Sequence, residues 1–272
     1  LQAMSDDGHS FIHIHALRYD GRFYPVAKKA LKLEFIGDSI TSGEGLFGAK
    51  QEQDWIPMFF SALRNYSYLT AKALDAEYRI FSQSGWGVHS SWDNHIKSAI
   101  PHYYKEICSL IPGAENRQIG GTLPYDFGSW QPDYVIVNLG TNDAGAFEQP
   151  GWLDEETGKW HKMHKNPDGS YADADICVFK NAVKDFLGIL RQCNPKAQII
   201  WCYGMLGIPL QMPICESLSE YAVQTGDRKV TYLQLPDTDD INVGSREHPG
   251  PLCHQQAAEV LAKYIKRLNM DK

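Results

Sequence analysis

Short apolar runs of strand type alternate along this chain with segments of helical periodicity, and this alternation most constrains the fold. The strand-like runs are rich in β-branched or aromatic residues and occupy 31–36, 78–81, 134–139, 198–203 and 230–235. Helices are predicted near 66–74, 176–193, 214–225 and 254–268. Strands separated by such helices form right-handed crossovers, so the pattern predicts an α/β fold with a parallel five-stranded sheet and helices on both faces.

Two regions depart from this alternation. Residues 11–17 alternate apolar and polar side chains ahead of the first core strand, which predicts an N-terminal β segment at 1–30 before a main domain at 31–272. Residues 144–174 are rich in Gly, Asp, Lys and His, with a turn signal at Asn166-Pro167-Asp168-Gly169. We expect a long loop there that overhangs the carboxyl edge of the sheet. Asp173 or Asp175 is a candidate N-cap for the helix that follows.

Composition excludes several classes of partner. Lys and Arg number 26 against 33 Asp and Glu, a formal net charge of −7, and no basic cluster is present, so nucleic acid is not an expected partner. The longest apolar stretches fall far short of the roughly 20 residues that span a bilayer, which predicts a soluble protein. The six cysteines lack C-x-x-C spacing, and several lie in apolar segments, which favours buried thiols over disulfides.

The start of the chain leaves the compartment open. No basic stretch followed by an apolar segment opens the sequence, so no signal peptide is predicted. Both a cytoplasmic and a secreted location stay open, and the sequence does not indicate an oligomeric state.

Four short motifs supply the groups that a serine esterase needs. Ser39 follows the first predicted strand, Gly85 the second and Asn142 the third, while His248 precedes Pro249 near the end of the chain. Loops at the carboxyl ends of parallel strands gather at one edge of the sheet, where such sheets bind ligands. His248 would act as base for Ser39, because a serine hydroxyl must lose its proton as it attacks a carbonyl carbon. The oxyanion would be stabilised by the backbone N–H groups of Ser39 and Gly85 and by the side-chain amide of Asn142.

With these motifs the chain resembles the SGNH (GDSL-type) hydrolases, which are named after the Ser, Gly, Asn and His found here. More narrowly, the sequences GDSITSGEG at 37–45, SGWG at 84–87, WQPD at 130–133 and NLGTND at 138–143 are similar to carbohydrate esterase family two. The resemblance implies a flavodoxin-like sheet and the removal of O-acetyl groups from plant cell-wall polysaccharides. It also implies that residues 11–17 are the end of a jelly-roll domain that is mostly absent from this chain.

One position departs from the SGNH pattern. The larger group places Asp three residues before the catalytic His, whereas this chain has Ser245. A Ser–His dyad is therefore expected, with a backbone carbonyl near 245–247 holding the imidazole, as the resemblance implies for some family members. Four acidic residues remain alternatives for this role: Asp237, Asp239, Asp240 and Glu247.

Aromatic residues near the motifs favour a carbohydrate substrate. Trp86, Trp92, Trp152 and Trp160 offer flat apolar faces that suit sugar rings, although core packing is the alternative for Trp86 and Trp92. His161 and His164 have no third metal ligand at a suitable spacing. The segments Gly43-Glu44-Gly45 and Gly85-Trp86-Gly87 lack the G-x-G-x-x-G or G-K-[ST] pattern of phosphate-binding loops. No metal, phosphate or other cofactor is predicted.

These observations predict a carbohydrate O-acetylesterase that works through an acetyl-serine intermediate and takes acetylated polysaccharides or oligosaccharides. Two alternatives stay open. One is a lipase, thioesterase or lysophospholipase on the same fold, since a fold does not define a substrate. The other is a carbohydrate-binding protein that has lost catalysis, for which the missing Asp is the positive sign.

Overall fold

The computed structural model of this chain describes residues 14–110 and 113–270. Its strands, in chain order, are β1 (Leu31–Gly37), β2 (Ala76–Ser82), β3 (Tyr134–Asn138), β4 (Trp152–Asp154), β5 (Lys159–His161), β6 (Gln198–Tyr203) and β7 (Val230–Gln234). Its α-helices are α1 (Ser39–Ser42), α2 (Tyr66–Ala73), α3 (Ala114–Gln118), α4 (Thr141–Ala146), α5 (Asp173–Cys193), α6 (Gln211–Thr225) and α7 (Pro251–Met270). Single 3₁₀ turns occur at Pro57–Phe59, Ile100–His102, Phe127–Ser129 and Ser245–Glu247.

Five strands form a parallel sheet in the order β2-β1-β3-β6-β7. This is the flavodoxin-like order, in which the chain leaves β1 toward one edge of the sheet and then returns past it toward the other. The predicted fold class is confirmed. The carboxyl ends of β1, β2 and β3 are neighbours, because Gly37 pairs with both Ser82 and Asn138.

Alternate residues of the buried strands enter two separate cores. Ile36 and Trp201 pack on one face of the sheet with the amphipathic helix α5 and with α6. Phe35 and Ile200 pack on the opposite face with α2 and α7. Because side chains of a strand alternate between faces, the near-continuous apolar runs seen in the sequence are what a sheet covered on both sides requires.

The long segment after β3 has more structure than the expected loop. It contains the antiparallel pair β4 and β5, with Trp152 opposite His161. Lys97 forms ion pairs with Asp154 and Glu156 and so ties this hairpin to the chain that follows β2. The turn signal at 166–169 is confirmed, since the Gly169 N–H donates to the Asn166 carbonyl at 2.9 Å.

The helix-cap prediction is wrong. Helix α5 begins at Asp173 with Ala172 at the N-cap position, which has no side-chain acceptor. Asp175 lies inside the first turn, where its carboxylate accepts hydrogen bonds from the His164 backbone N–H at 2.6 Å and ring Nδ1 at 2.9 Å.

The N-terminal β segment stays a prediction. Residues 11–13 lie outside the described part of the chain, and residues 14–17 are exposed and not in a strand. Cys202 and Cys253 are buried thiols, as predicted for several of the cysteines, whereas Cys108 and Cys177 are exposed. All six cysteines are unpaired.

Candidate active site

Ser39 lies at the first turn after β1. The Asp38 carboxylate accepts a hydrogen bond from the Ile40 N–H at 3.0 Å and so caps the short helix α1. Gly37 permits this sharp turn, because a Cβ there would lie 2.9 Å from the Asn138 carbonyl oxygen of the neighbouring strand. The turn directs Ser39 into a cleft at the carboxyl edge of the sheet.

His248 reaches Ser39 from the far end of the chain. The His248 Nε2 lies 2.9 Å from the Ser39 Oγ, although the two residues are 209 positions apart. Both side chains line the cleft, and the imidazole is largely buried. The fold therefore brings together the two residues that the sequence predicts as nucleophile and base.

The second ring nitrogen of His248 faces a backbone carbonyl. Its Nδ1 lies 2.7 Å from the Arg246 carbonyl oxygen, which accepts a hydrogen bond when Nδ1 carries the proton. That tautomer leaves Nε2 free to accept the Ser39 proton. Ser245 lies elsewhere: its N–H donates to the Gly45 carbonyl at 3.0 Å, and its side chain is buried.

Ser39 and Gly85 both line the cleft, and their backbone N–H groups are available as donors. Within the described part of the chain, neither the Ser39 N–H nor the Gly85 N–H donates to another residue. Gly85 has a φ of +79°, which glycine adopts without strain. These are two of the three predicted oxyanion donors.

The third predicted donor, the Asn142 amide, already has acceptors. Its Nδ2 lies 3.1 Å from Asp38 Oδ2 and 3.1 Å from the Trp86 carbonyl oxygen. Both hydrogens of the amide are thereby aimed at acceptors, so Asn142 is held rigidly and donates to a third acceptor only by sharing a hydrogen.

Two buried carboxylates organise the surroundings of these donors. Asp143 accepts hydrogen bonds from the backbone N–H groups of Val88 at 2.9 Å and His89 at 2.7 Å, which fixes the chain that follows Gly85. Burial raises the pKa of Asp143. Burial also raises the pKa of Asp38 to about 7, against the opposing effect of its hydrogen bond from the Ile40 N–H.

The cleft has a volume of about 390 Å³ and is lined by polar and aromatic side chains. Trp86 and Trp92 both line the cleft, but Trp92 is 48% exposed and lies against Gly85, whereas Trp86 is buried with its ring tilted against Tyr103. Trp86 therefore packs in the core as well as bordering the cleft, and Trp92 is the more exposed of the two.

Trp152 and Trp160 do not line this cleft. Trp152 packs behind its wall, with its ring 4.0 Å from that of His95, which does line the cleft. Trp160 is 68% exposed and borders a second, smaller cavity beside β5. Among the described residues, no group of three or more His, Cys, Asp or Glu side chains is placed to hold a metal ion.

The cleft is also lined by residues that the sequence-based predictions do not name, among them Glu44, Trp55 and Arg246. Glu44 had a signal, because it follows the nucleophile by five positions between two glycines. Trp55 and Arg246 had none, since their approach to the cleft depends on loops without a sequence pattern.

A flavodoxin-like sheet with a hydrogen-bonded Ser and His at its carboxyl edge is the architecture of the SGNH hydrolases. The chain belongs to the GDSL-like Lipase/Acylhydrolase family, whose sequence profile matches residues 35–255.

Several similar proteins are esterases of carbohydrates by name. The structure of an acetyl xylan esterase (Est2A) from the rumen bacterium Butyrivibrio proteoclasticus is 49% identical, with a TM-score of 0.89 over 92% of this chain and 67% of that one. A family two carbohydrate esterase from Clostridium thermocellum, in complex with cellohexaose, is 27% identical, with a TM-score of 0.71 over 90% of this chain and 66% of that one. The resemblance to carbohydrate esterase family two is confirmed.

The related full-length proteins are longer than this chain. The Cellulase/esterase CelE of Acetivibrio thermocellus is 28% identical over 86% of this chain, which spans only 25% of that protein. No helix in the described ranges has the length and apolar character that crossing a membrane requires.

Proposed function

We propose that this chain is a serine esterase that removes O-acetyl groups from carbohydrates through an acetyl-serine intermediate. The observation that carries the proposal is the 2.9 Å separation of the Ser39 Oγ and the His248 Nε2, in a cleft that also holds two unengaged backbone amides. Esterases of acetylated carbohydrates among the similar proteins support the same substrate class.

In the first half-reaction the Ser39 Oγ attacks the acetyl carbonyl carbon. The Oγ proton moves to the His248 Nε2 as the new C–O bond forms, and the carbonyl π electrons move onto the acetyl oxygen. The N–H groups of Ser39 and Gly85 donate to this oxyanion, and Asn142 shares an amide hydrogen with it. Collapse of the intermediate breaks the bond to the sugar oxygen, which takes the proton from Nε2.

The second half-reaction releases acetate. Water gives a proton to the His248 Nε2 as its oxygen bonds to the acyl carbon, and collapse breaks the bond to the Ser39 Oγ, which recovers that proton. The Arg246 carbonyl keeps the proton on Nδ1 throughout, because a carbonyl oxygen accepts that hydrogen bond without being protonated itself.

The aromatic walls of the cleft support a sugar as the group that carries the ester. Trp55 and Trp92 line the cleft beside polar side chains, and indole faces stack well on the apolar faces of pyranose rings. Trp86 lines the cleft but is buried, and Trp152 and Trp160 do not line it, so the proposal assigns sugar stacking to Trp92 and adds Trp55.

Removal of the nucleophile tests the proposal. Ser39→Ala should abolish acetate release from acetylated xylan and mannan oligosaccharides, and His248→Ala should do the same. Ser42→Ala is a matched control, because Ser42 lies in the same short helix but hydrogen-bonds to Ser82 and the Asp38 carbonyl. Acetate release at the wild-type rate by Ser39→Ala would overturn the assignment.

Acyl-chain length separates an acetylesterase from a lipase or thioesterase. The proposed enzyme should lose kcat/KM sharply between acetyl and octanoyl esters of one activated alcohol. Equal or higher kcat/KM with the octanoyl ester would favour a lipase-like function, and binding of acetylated oligosaccharides without turnover of any acetyl ester would favour a non-catalytic role.

A further inference from the structure

Within residues 14–110 and 113–270, no carboxylate hydrogen-bonds to the His248 Nδ1. During attack by Ser39 the His248 ring becomes an imidazolium, and its Nδ1 faces the neutral Arg246 carbonyl. In a complete triad a carboxylate at this position orients the ring and stabilises its positive charge. Ser245 is buried against Gly45. Because serine has no carboxylate, it can neither orient the ring as the triad acid does nor stabilise its positive charge.

A buried carboxylate approaches the ring from the opposite side. Glu44 is 3% exposed, and its Oε2 lies 3.9 Å from the His248 Nε2. Its position is fixed by the backbone, because the Glu44 N–H donates to the Ser39 carbonyl at 3.0 Å. The carboxylate therefore lies beside the nitrogen that receives the proton.

The same carboxylate also holds the residue that supplies the carbonyl. Glu44 Oε1 forms an ion pair with the Arg246 guanidinium. Arg246 and Glu247 have φ values of +52° and +59°, a left-handed backbone that non-glycine residues adopt only when surrounding contacts impose it. The Arg246 N–H donates to the Glu52 carbonyl at 2.8 Å, so the backbone and the side chain of Arg246 are each held by a separate contact.

We propose that Glu44 is a positioning residue that replaces the missing triad acid, stabilising the His248 imidazolium beside Nε2 and, through Arg246, fixing the carbonyl that accepts from Nδ1. This inference rests on the proposed esterase function.

Among the described residues, other titratable groups lie near His248 or line the same cleft. His254 of α7 is fully buried, and its Nδ1 accepts from the Tyr66 N–H at 3.0 Å. Asp38 hydrogen-bonds to Asn142. Asp93 and His95 also line the cleft, where the Ser91 hydroxyl donates to the Asp93 carboxylate.

Titration of the His248 ring by NMR in the Ser39→Ala background tests the inference without requiring turnover. The His248 signal is assigned by its loss in His248→Gln. Glu44→Gln should lower the pKa of the ring by about one unit, because an anion within about 4 to 6 Å favours the charged form. Arg246→Met should raise it, since the carboxylate then acts on the ring alone.

Kinetics provide the second readout. With Ser39 present, Glu44→Gln should lower kcat on an acetyl ester by about tenfold, because a ring pKa lowered by one unit corresponds to a tenfold loss of imidazolium stabilisation. The acid limb of kcat/KM should move to lower pH with the ring pKa. A purely structural Glu44 would lower the melting temperature but leave the pKa unmoved.

The inference is overturned if folded Glu44→Gln leaves the ring pKa and kcat unchanged. If Glu44→Gln does not fold, an unmoved or lowered pKa in Arg246→Met overturns it. Because the titration is independent of activity, a wild-type chain with no esterase activity would refute the proposed function separately.

Discussion

Replacing Gly45 with alanine should disconnect His248 from Ser39 without removing any side chain of the site. Gly45 has a φ of +70° and faces the segment that carries His248. An alanine Cβ would lie 2.8 Å from the His248 Cβ and closer still to the Ser245 carbonyl oxygen. Because the nearest obstacles include backbone, the 245–248 segment must move away from the nucleophile.

The expected effects on stability and rate can be estimated separately. The left-handed backbone costs an alanine about 1 kcal/mol, and overpacking of this kind adds about 1 to 3 kcal/mol. A shift of about 1 Å lengthens the 2.9 Å contact between Nε2 and Oγ beyond hydrogen-bonding distance, and misplacement by that distance can lower a rate by about 100-fold. We therefore expect kcat to fall by about 100-fold.

Gly226→Ala is the matched control for this experiment. Gly226 has a φ of +74° at the end of α6, and a Cβ there would meet no atom within 4 Å. It should carry the backbone penalty alone, lowering the free energy of unfolding by about 1 kcal/mol without affecting kcat. Acetate release and urea unfolding measure both variants. If Gly45→Ala retained kcat within about threefold while remaining folded, the assigned coupling between Gly45 and the His248 segment would be wrong.

Three further substitutions test other parts of the site. Gly85→Ala should lower kcat, because the +79° φ is unfavourable for alanine and its Cβ would lie 3.2 Å from the Trp92 ring; unchanged acetate release would contradict Gly85 as an oxyanion donor. Burial raises the pKa of Asp38 from 3.8 to about 7. The folded state therefore holds the Asp38 proton more tightly than the unfolded state does, and this stabilisation is fully present below about pH 4 and is lost as pH rises through about 7. The expected change in the free energy of unfolding is about 4 kcal/mol. Urea unfolding of Asp38→Asn should lack that part of the pH dependence, and a slope equal to wild type would contradict it. Ser245→Asp should not raise kcat and should destabilise the fold by about 3 kcal/mol, because position 245 is buried against Gly48; a more active variant would show that the carboxylate reaches His248.

The sheet and its main helices were predictable because their signals are local. Each core strand is a buried apolar run, and α5 carries apolar residues three and four positions apart, so burial on a covered sheet leaves little choice of structure. The approach of Ser39 and Asn142 followed from the same physics, since both lie at the carboxyl ends of adjacent parallel strands.

The remaining parts of the site depend on backbone conformations without a sequence pattern. The left-handed Arg246 is unusual for a non-glycine residue, and it contacts Glu44 through its side chain and the Glu52 carbonyl through its N–H. The β4–β5 pair consists of three-residue strands, which are too short for periodicity to reveal. Trp152 belongs to this hairpin, so its position behind the cleft wall was not predictable either.

In the proposed reaction Ser39 carries the acetyl group during turnover. Rapid acid quench of the chain with an excess of acetylated substrate, followed by peptide mass spectrometry, measures this directly. We expect an acetyl adduct on the peptide that contains Ser39 and on no other peptide, and none in Ser39→Ala. Acetate release at full rate without an adduct on Ser39, under conditions in which deacylation is slowed, would contradict the account.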